Sequence, residues 1–274
     1  MHRSELETLA ESAAVAARLV REIYEQDFAV EVKPSRDPVT AADRQSNALL
    51  VRRLRDAFPG VPVVSEESNP LSFGDFRRAE RVLFVDPLDG TQEFIDRNGE
   101  FVVMIGLVAG PGAVAGVIHA PVSGVAWIGG VGLGAWRVDP AGPWVPVHVS
   151  ATRDLGQARA VASRSHRSLR LERTLAALGV REVRSMGSAG LKGAQVAEGL
   201  AEAYVHPGAG LKRWDVCAVD ALVTAAGGRI SDVAGAPIDY RADSLTCQRG
   251  LVASNGLTHE AILARLAQVD SCRP

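Results

Sequence analysis

Apolar residues recur along this chain at two distinct periods, and the change of period divides it. Near the start, Leu6, Leu9, Ala13, Ala16, Val20 and Ile23 repeat every three or four residues, with Arg and Glu between them, and predict an amphipathic helix. Lys33-Pro34-Ser35-Arg36-Asp37-Pro38-Val39-Thr40 follows as a polar loop with two prolines. Thr40-Ala41-Ala42-Asp43 reads as a capping box and opens a helix to about Phe58 that buries Leu50, Leu54 and Ala57. Phe58-Pro59-Gly60 stops it. Residues 61–64 and 82–85 are short, charge-free apolar runs and predict buried strands. The polar stretch between them, 69–80, reads as a surface loop with a short helix. Residues 101–108 and 113–120 predict long strands joined by Gly110-Pro111-Gly112, and 125–128, 134–138 and 145–149 continue at hairpin spacing as an antiparallel sheet. The glycines there, Gly129, Gly130 and Gly132 among them, read as turns and bulges.

From residue 158 the pattern alternates. Strands are predicted at 158–162, 182–185, 202–205, 229–232 and 250–253, with helices at 169–178, 189–198, 215–226 and 257–266. Such alternation indicates an α/β half. The expected architecture is therefore mixed, α+β with α/β: an antiparallel half over 1–150 and an α/β half over 151–274. No flexible linker marks the boundary, so the halves are expected to pack closely.

Composition narrows the function classes. The chain has 274 residues, 47% of them apolar, enough for a large core. A net charge of −2 argues against a nucleic-acid polymer as partner, and sparse aromatics offer no base-stacking platform. Gly, Pro or a charge interrupts every long apolar stretch, so no membrane insertion is expected. Met-His-Arg-Ser-Glu at the start has no apolar region of the signal-peptide kind. Cys217, Cys247 and Cys272 are widely spaced and read as reduced thiols of a cytoplasmic protein.

The candidate chemistry centres on Asp86-Pro87-Leu88-Asp89-Gly90-Thr91, directly after the apolar run that ends at Val85. Pro87 holds Asp86 extended, and Asp89 can cap a helix starting near Gly90. Two carboxylates at a strand end can hold a hard cation such as Mg²⁺. The N–H groups of Gly90 and Thr91 can meet a phosphate. Asp-Pro and Asp-Gly are equally ordinary turn pairs. The wider chain decides between these readings: Glu66-Glu67-Ser68 lies upstream and Trp214-Asp215 far downstream.

Asp-Pro-Leu-Asp-Gly-Thr, with an upstream Glu-Glu-Ser and a downstream Trp-Asp, resembles the lithium-sensitive, Mg²⁺-dependent phosphatases of the inositol monophosphatase superfamily. The likeness runs from about Lys33 to Asn255. It implies a layered αβαβα sandwich of the sugar-phosphatase type, two or three Mg²⁺ ions and inhibition by Li⁺. It also implies the ligand set: Glu66 and Asp86 bridging two metals, Asp89, Asp215 and the Leu88 carbonyl completing it, and Asp43 reaching a third through water. Thr91, paired with Asp43, would orient or deprotonate the attacking water. Glu67 reads as a neighbour outside that set, and Trp214 as a packing residue. Relatives occur as monomers and homodimers, and no exposed apolar helix stripe selects between them.

Gln92-Glu93-Phe94, with Arg97-Asn98-Gly99-Glu100-Phe101, is similar to the bacterial bisphosphate nucleotidases of this superfamily. So is Ser163-Arg164-Ser165-His166. Gly187-Ser188-Ala189-Gly190-Leu191-Lys192 resembles their Gly-Ser-Ser-x-Lys segment, with one residue more between Ser188 and Lys192. The likeness implies substrate contacts from Asp89, Gly90, Thr91, Ser163, Ser165, His166, Ser188, Lys192 and Asp215. Lys212-Arg213 adds positive charge before Trp214. The expected activity is hydrolysis of the 3′-phosphate of adenosine 3′,5′-bisphosphate, with the sulfated analogue as a further substrate. The alternatives are an inositol or other sugar monophosphate phosphatase, and a non-catalytic regulatory protein of the same fold.

Overall fold

The computed structural model describes residues 1–33 and 38–271. The expected positions at 34–37 and Cys272 lie outside the described residues. In chain order the elements are α1 (Arg3–Tyr24), β1 (Val30–Val32), β2 (Pro38–Thr40), α2 (Ala41–Ala57), β3 (Val63–Ser65), β4 (Arg81–Asp89), α3 (Thr91–Ile95), β5 (Val102–Ala109), β6 (Gly112–His119), β7 (Ala126–Gly130), β8 (Gly134–Val138) and β9 (Trp144–Pro146). They continue with β10 (Arg159–Ser163), α4 (Leu169–Leu178), β11 (Glu182–Met186), α5 (Ala189–Ala197), β12 (Ala203–His206), α6 (Arg213–Ala225), β13 (Arg229–Ser231), β14 (Leu251–Ser254) and α7 (His259–Ser271).

Two sheets organise the chain. Strands β3 to β9 form a seven-stranded sheet in sequence order, antiparallel except for the β3–β4 pair. The second sheet has the order β11-β10-β12-β14-β13 and is mixed. Strand alternation sorts side chains into separate cores. On β4, Leu83 and Val85 join α1 and α2, whereas Val82 and Phe84 join the cluster that holds Val216, Val219 and Leu222 of α6. On β12, Tyr204 faces that central cluster, and Ala203 and Val205 face Leu171 of α4 and Ile262 of α7. The layers are therefore α1/α2, the large sheet, α5/α6, the small sheet and α4/α7. This is the expected αβαβα sandwich.

Three details depart from expectation. Ala57 is exposed and Phe58 takes the buried place at the end of α2. The polar 69–80 loop is anchored by Phe73 and Phe76, both buried in the central core. The sheet glycines are not all turns. Gly129 lies within β7, and with Gly106 of β5 and Gly116 of β6 it makes a seat for α6. A Cβ on Gly106 would lie 2.6 Å from Cys217 Cβ, one on Gly116 2.9 Å from Ala218 Cα, and one on Gly129 3.0 Å from Ala221 O. Only glycine lets the helix lie this close to the sheet. Among the described residues, no helix is long and apolar enough to cross a membrane. Cys217 and Cys247 are free thiols.

Candidate active site

Strand β4 delivers the acidic turn. Its pairing with β5 shifts register between Asp86 and Asp89, where Pro87 has no N–H to give the ladder. Asp86 is 2% exposed, and its Oδ1 accepts from Leu88 N at 3.0 Å. Gly90 follows at φ +99°, and a Cβ there would lie 3.0 Å from Glu100 O, so both conformation and space demand glycine. The expectation that Asp89 caps the next helix is not met. Gly90 holds that position without a side-chain cap. Asp89 Oδ2 instead accepts from Ser188 Oγ at 2.5 Å and Gly190 N at 2.8 Å. Ser188, which caps α5, and the Gly190 amide in its first turn satisfy that oxygen instead.

The capping box forms and supplies a second contact. Thr40 N and Thr40 Oγ1 both donate to Asp43 Oδ2 at 2.7 Å. The other oxygen, Asp43 Oδ1, accepts from Thr91 Oγ1 at 3.0 Å, and the same hydroxyl lies 3.3 Å from Leu88 O. Asp43 and Thr91, distant in sequence, are thus brought into contact. Ser46 Oγ on α2 braces the turn through Pro87 O at 2.9 Å.

Glu66 follows β3, with its backbone N–H on Val85 O. Its Oε1 accepts from Lys33 Nζ at 3.1 Å, and the same ammonium bonds Glu67. Glu67 is therefore paired rather than solvated. At the start of α6, Asp215 Oδ2 accepts from Lys212 N at 2.7 Å. Trp214 is half-buried against the central core. Arg213 turns away from the acids and donates to Asp239 O and Ala242 O.

These carboxylates feel one another. Asp86 is pushed well above the usual carboxylate range, by burial first and then by the charges of Glu66, Asp89 and Asp215. Burial, then Glu66 and Asp89, push Asp215 up likewise, although that residue keeps part of its surface open. Glu66 rises to about 7 through burial, opposed by Lys33 and reinforced by Glu67 and Asp43. Burial acts to lower the Lys33 ammonium, but Glu66 and Glu67 more than offset it, and its net shift is upward. Crowded like charges of this kind are costly unless protons or cations offset them. The donors are all oxygen, which suits a hard divalent cation such as Mg²⁺. Among the described residues, no three acidic, histidine or cysteine side chains close into a ready cage. Lys33, Ser188 and the amides of Gly190 and Lys212 hold the acids instead.

The remaining predicted residues lie where β10 ends, on the loops after β10 and β11, and in α5, which holds Lys192. Ser163 Oγ accepts from His166 N at 3.1 Å, and the His166 residue is exposed. Ser165 Oγ donates to Glu93. Ser188 caps α5 at φ +53°, rare for a residue with a side chain. Lys192 is 3% exposed, and its ammonium donates to Gly187 O at 3.2 Å and Ser188 O at 2.6 Å. Burial brings its pKa down to about 8, against the pull of Asp89 and Glu93. Sequence reasoning assigned no role to Glu93 and Glu100, which touch both loops. Their place in the two segments similar to the bisphosphate nucleotidases was the available signal.

A helix-seated acidic turn with a paired hydroxyl and carboxylate, inside an αβαβα sandwich, defines a phosphatase-type architecture. The chain belongs to the inositol monophosphatase family, whose profile matches residues 2–271. It is 37% identical over 237 residues to the 3′(2′),5′-bisphosphate nucleotidase CysQ of Escherichia coli K12, covering 86% of this chain and 93% of that one. Among solved structures, CysQ from Bacteroides thetaiotaomicron is 30% identical with a TM-score of 0.79, covering 93% of this chain and 98% of that one. The inositol monophosphatase of Anabaena (Nostoc) sp. PCC 7120 is 27% identical with a TM-score of 0.80, covering 97% and 96%. The fold is shared by both kinds of enzyme.

Proposed function

We propose that this chain is a Mg²⁺-dependent phosphatase that removes the 3′-phosphate of adenosine 3′,5′-bisphosphate, giving AMP and phosphate. The observation that carries hydrolysis is the Thr91 Oγ1–Asp43 Oδ1 hydrogen bond beside an all-oxygen donor group. The similarity to CysQ nucleotidases supports the choice of substrate. In this reading Glu66, Asp86, Asp89, Asp215 and the Leu88 carbonyl would hold Mg²⁺. Such ions, when bound, neutralise phosphate charge, acidify a water and stabilise the leaving oxygen.

The chain's own residues do the rest. Thr91 Oγ1 gives its hydrogen to Asp43, so its lone pairs face the attacking water and orient it. A hydroxyl cannot take a proton alone near neutral pH, and Asp43 is the acceptor behind it. In this reading water attacks directly and in line, with no covalent enzyme intermediate. Ser188 and the Gly190 amide fix the rotamer of Asp89. Ser163, Ser165, His166 and Ser188 line the second phosphate, and Lys192 acts through the loop whose carbonyls it binds.

The test is phosphate release with Mg²⁺ from adenosine 3′,5′-bisphosphate and from inositol 1-phosphate in parallel, with Asp89→Asn as the blank. A kcat/KM ratio of about a hundredfold for the nucleotide, nearly 3 kcal/mol in transition-state binding, establishes the nucleotidase. Preference for the inositol ester keeps the hydrolytic centre and overturns the second-phosphate assignment. Full activity of Asp89→Asn removes it from the ligand set.

A further inference from the structure

We infer that Glu93 and Glu100 are positioning residues: a pair of carboxylates that clamps both substrate loops against the acidic turn and thereby sets which phosphate ester is accepted. This rests on the reading that residues 163–166 and 187–192 meet the second phosphate.

Each glutamate reaches both loops. Glu93, on α3, is 3% exposed and accepts from Ser165 Oγ. Its side chain also lies flat on the second loop, where a Cβ on Gly187 would stand 2.6 Å from Glu93 Cδ and 2.8 Å from its Oε1. Glu100 accepts from Gly187 N at 2.6 Å. It also takes a two-pronged grip on Arg164, with Nη1 to Oε2 and Nη2 to Oε1 both at 2.7 Å. Charge-assisted bonds of this kind are short, directional and stronger than neutral ones.

The second loop needs such support. Ser188 follows Gly187 at φ +53°, a strained conformation that persists only when its surroundings over-determine it. Glu100 holds the loop from one side, Asp89 from another, and the Lys192 ammonium from within. Both loops follow neighbouring strands of the small sheet, β10 and β11, and Glu93 and Glu100 tie the pair across to the acidic turn on the large sheet. Both carboxylates already carry donors, so they do not face an incoming anion as bare charges. A monophosphate that occupies only the acidic turn does not depend on this wall. A substrate with a second phosphate does.

The test uses the full chain with Glu100→Gln, Glu93→Gln, Glu93→Ala and Arg164→Ala. Amide hydrogen exchange is followed over 163–167 and 186–190. KM and kcat are measured for adenosine 3′,5′-bisphosphate and inositol 1-phosphate at fixed Mg²⁺. For Glu100→Gln, exchange in both segments should quicken and the bisphosphate-to-monophosphate ratio of kcat/KM should fall about tenfold, the scale of one charge-assisted hydrogen bond. The loss should appear in KM more than in kcat. Glu93→Gln, which keeps an acceptor for Ser165, should lose less than Glu93→Ala. Arg164→Ala, at an exposed residue, reports on the same bridge if a glutamate variant fails to fold. Unchanged exchange overturns the clamp. So do loosened loops with both substrates weakened equally, which mark a scaffold role only. If the wild type turns over only the inositol ester, the nucleotidase reading falls. The clamp is then judged by exchange, with faster exchange in both segments retaining it and no change removing it.

Discussion

Replacing Gly116 by alanine probes the seating of α6, the helix that carries Asp215. A Cβ on Gly116 would stand 2.9 Å from both the Cα and the carbonyl carbon of Ala218, with the carbonyl oxygen nearer still. These are backbone atoms, so no rotamer change relieves the overlap. The neighbouring seats are equally tight: at Gly106, Cys217 Sγ would lie 2.5 Å away, and at Gly129, Leu222 N would lie 3.0 Å away. The helix cannot slide to another register on the sheet without meeting one of them. It must lift, or β6 must bow. Overpacking of this kind costs roughly 1–3 kcal/mol, and contact with rigid backbone puts Gly116→Ala near the upper end. Asp215 lies in the first turn of the lifted helix. A displacement of about 1 Å at a reacting centre can cost on the order of a hundredfold in rate. Urea titration should therefore show a loss of about 3 kcal/mol, with kcat/KM falling alongside. Gly112→Ala is the control. Gly112 is at the start of the same strand, and a Cβ there meets nothing within 4 Å. It should be neutral, or stabilising by about 0.4–1 kcal/mol through the unfolded chain. Equal midpoints for Gly116→Ala and wild type would refute the seating argument.

Two other outcomes follow from the structure. Thr91→Val keeps the shape and removes the hydroxyl that joins Asp43. It should lower kcat by about 10²–10⁴, the usual range for lost proton-transfer catalysis, with KM and melting temperature little changed, and a kcat within threefold of wild type would take Thr91 out of the chemistry. Glu202 is fully buried and accepts from Arg159 N at 2.6 Å and Arg159 Nη2 at 2.7 Å. Burial acts to raise its pKa, but the Arg159 bonds overcome that and hold it at about 2, against an ordinary 4.5. A depressed folded-state pKa means stability that is present above the unfolded value and lost as pH falls through the folded one. The shift corresponds to roughly 3 kcal/mol at neutral pH, less an allowance for the solvent that reaches Arg159. Glu202→Gln should therefore be destabilised at pH 7, and the gap from wild type should close between about pH 4.5 and 2. A gap that stays constant over that window would refute the assignment.

Much of the fold was legible because one-dimensional signals decided it. The capping box at Thr40 and Asp43, the apolar run into Asp86 and the alternation after residue 158 each name a local element, and the elements formed with shifts of a few residues at their ends. The candidate acids were legible through the order of three motifs, and Asp43 and Thr91 do meet. What could not be read depends on surfaces rather than periods. A glycine in a strand signals a bulge or a close approach, and sequence alone cannot say which. Gly106, Gly116 and Gly129 became a seat only once α6 lay across three strands. Asp89 looked like a helix cap because its competing donors, Ser188 and Gly190, are a hundred residues away. Lys192 read as a phosphate contact, and its burial in α5 with bonds to the carbonyls of Gly187 and Ser188 had no signal in the sequence.

The position of the acids explains why this fold supports different substrates. Asp86 and Asp89 end β4 of the large sheet, Asp215 opens α6 in the middle layer, and Asp43 opens α2 in the outer one. Each is carried on an element packed into the core, so the proposed hydrolytic centre is held by the layers of the sandwich themselves. The proposed second-phosphate wall is built otherwise, from loops after β10 and β11 held by side-chain bonds to Glu93 and Glu100. Changes in those few bonds leave every core layer intact. Backbone similarity to an inositol monophosphatase and to a CysQ enzyme is nearly equal, with TM-scores of 0.80 and 0.79, so the fold alone does not choose between their substrates. On the reading proposed above, the discriminating information lies in the carboxylates that brace the loops. This is why substrate selectivity, rather than stability or the overall rate, is the quantity through which Glu93 and Glu100 should reveal themselves.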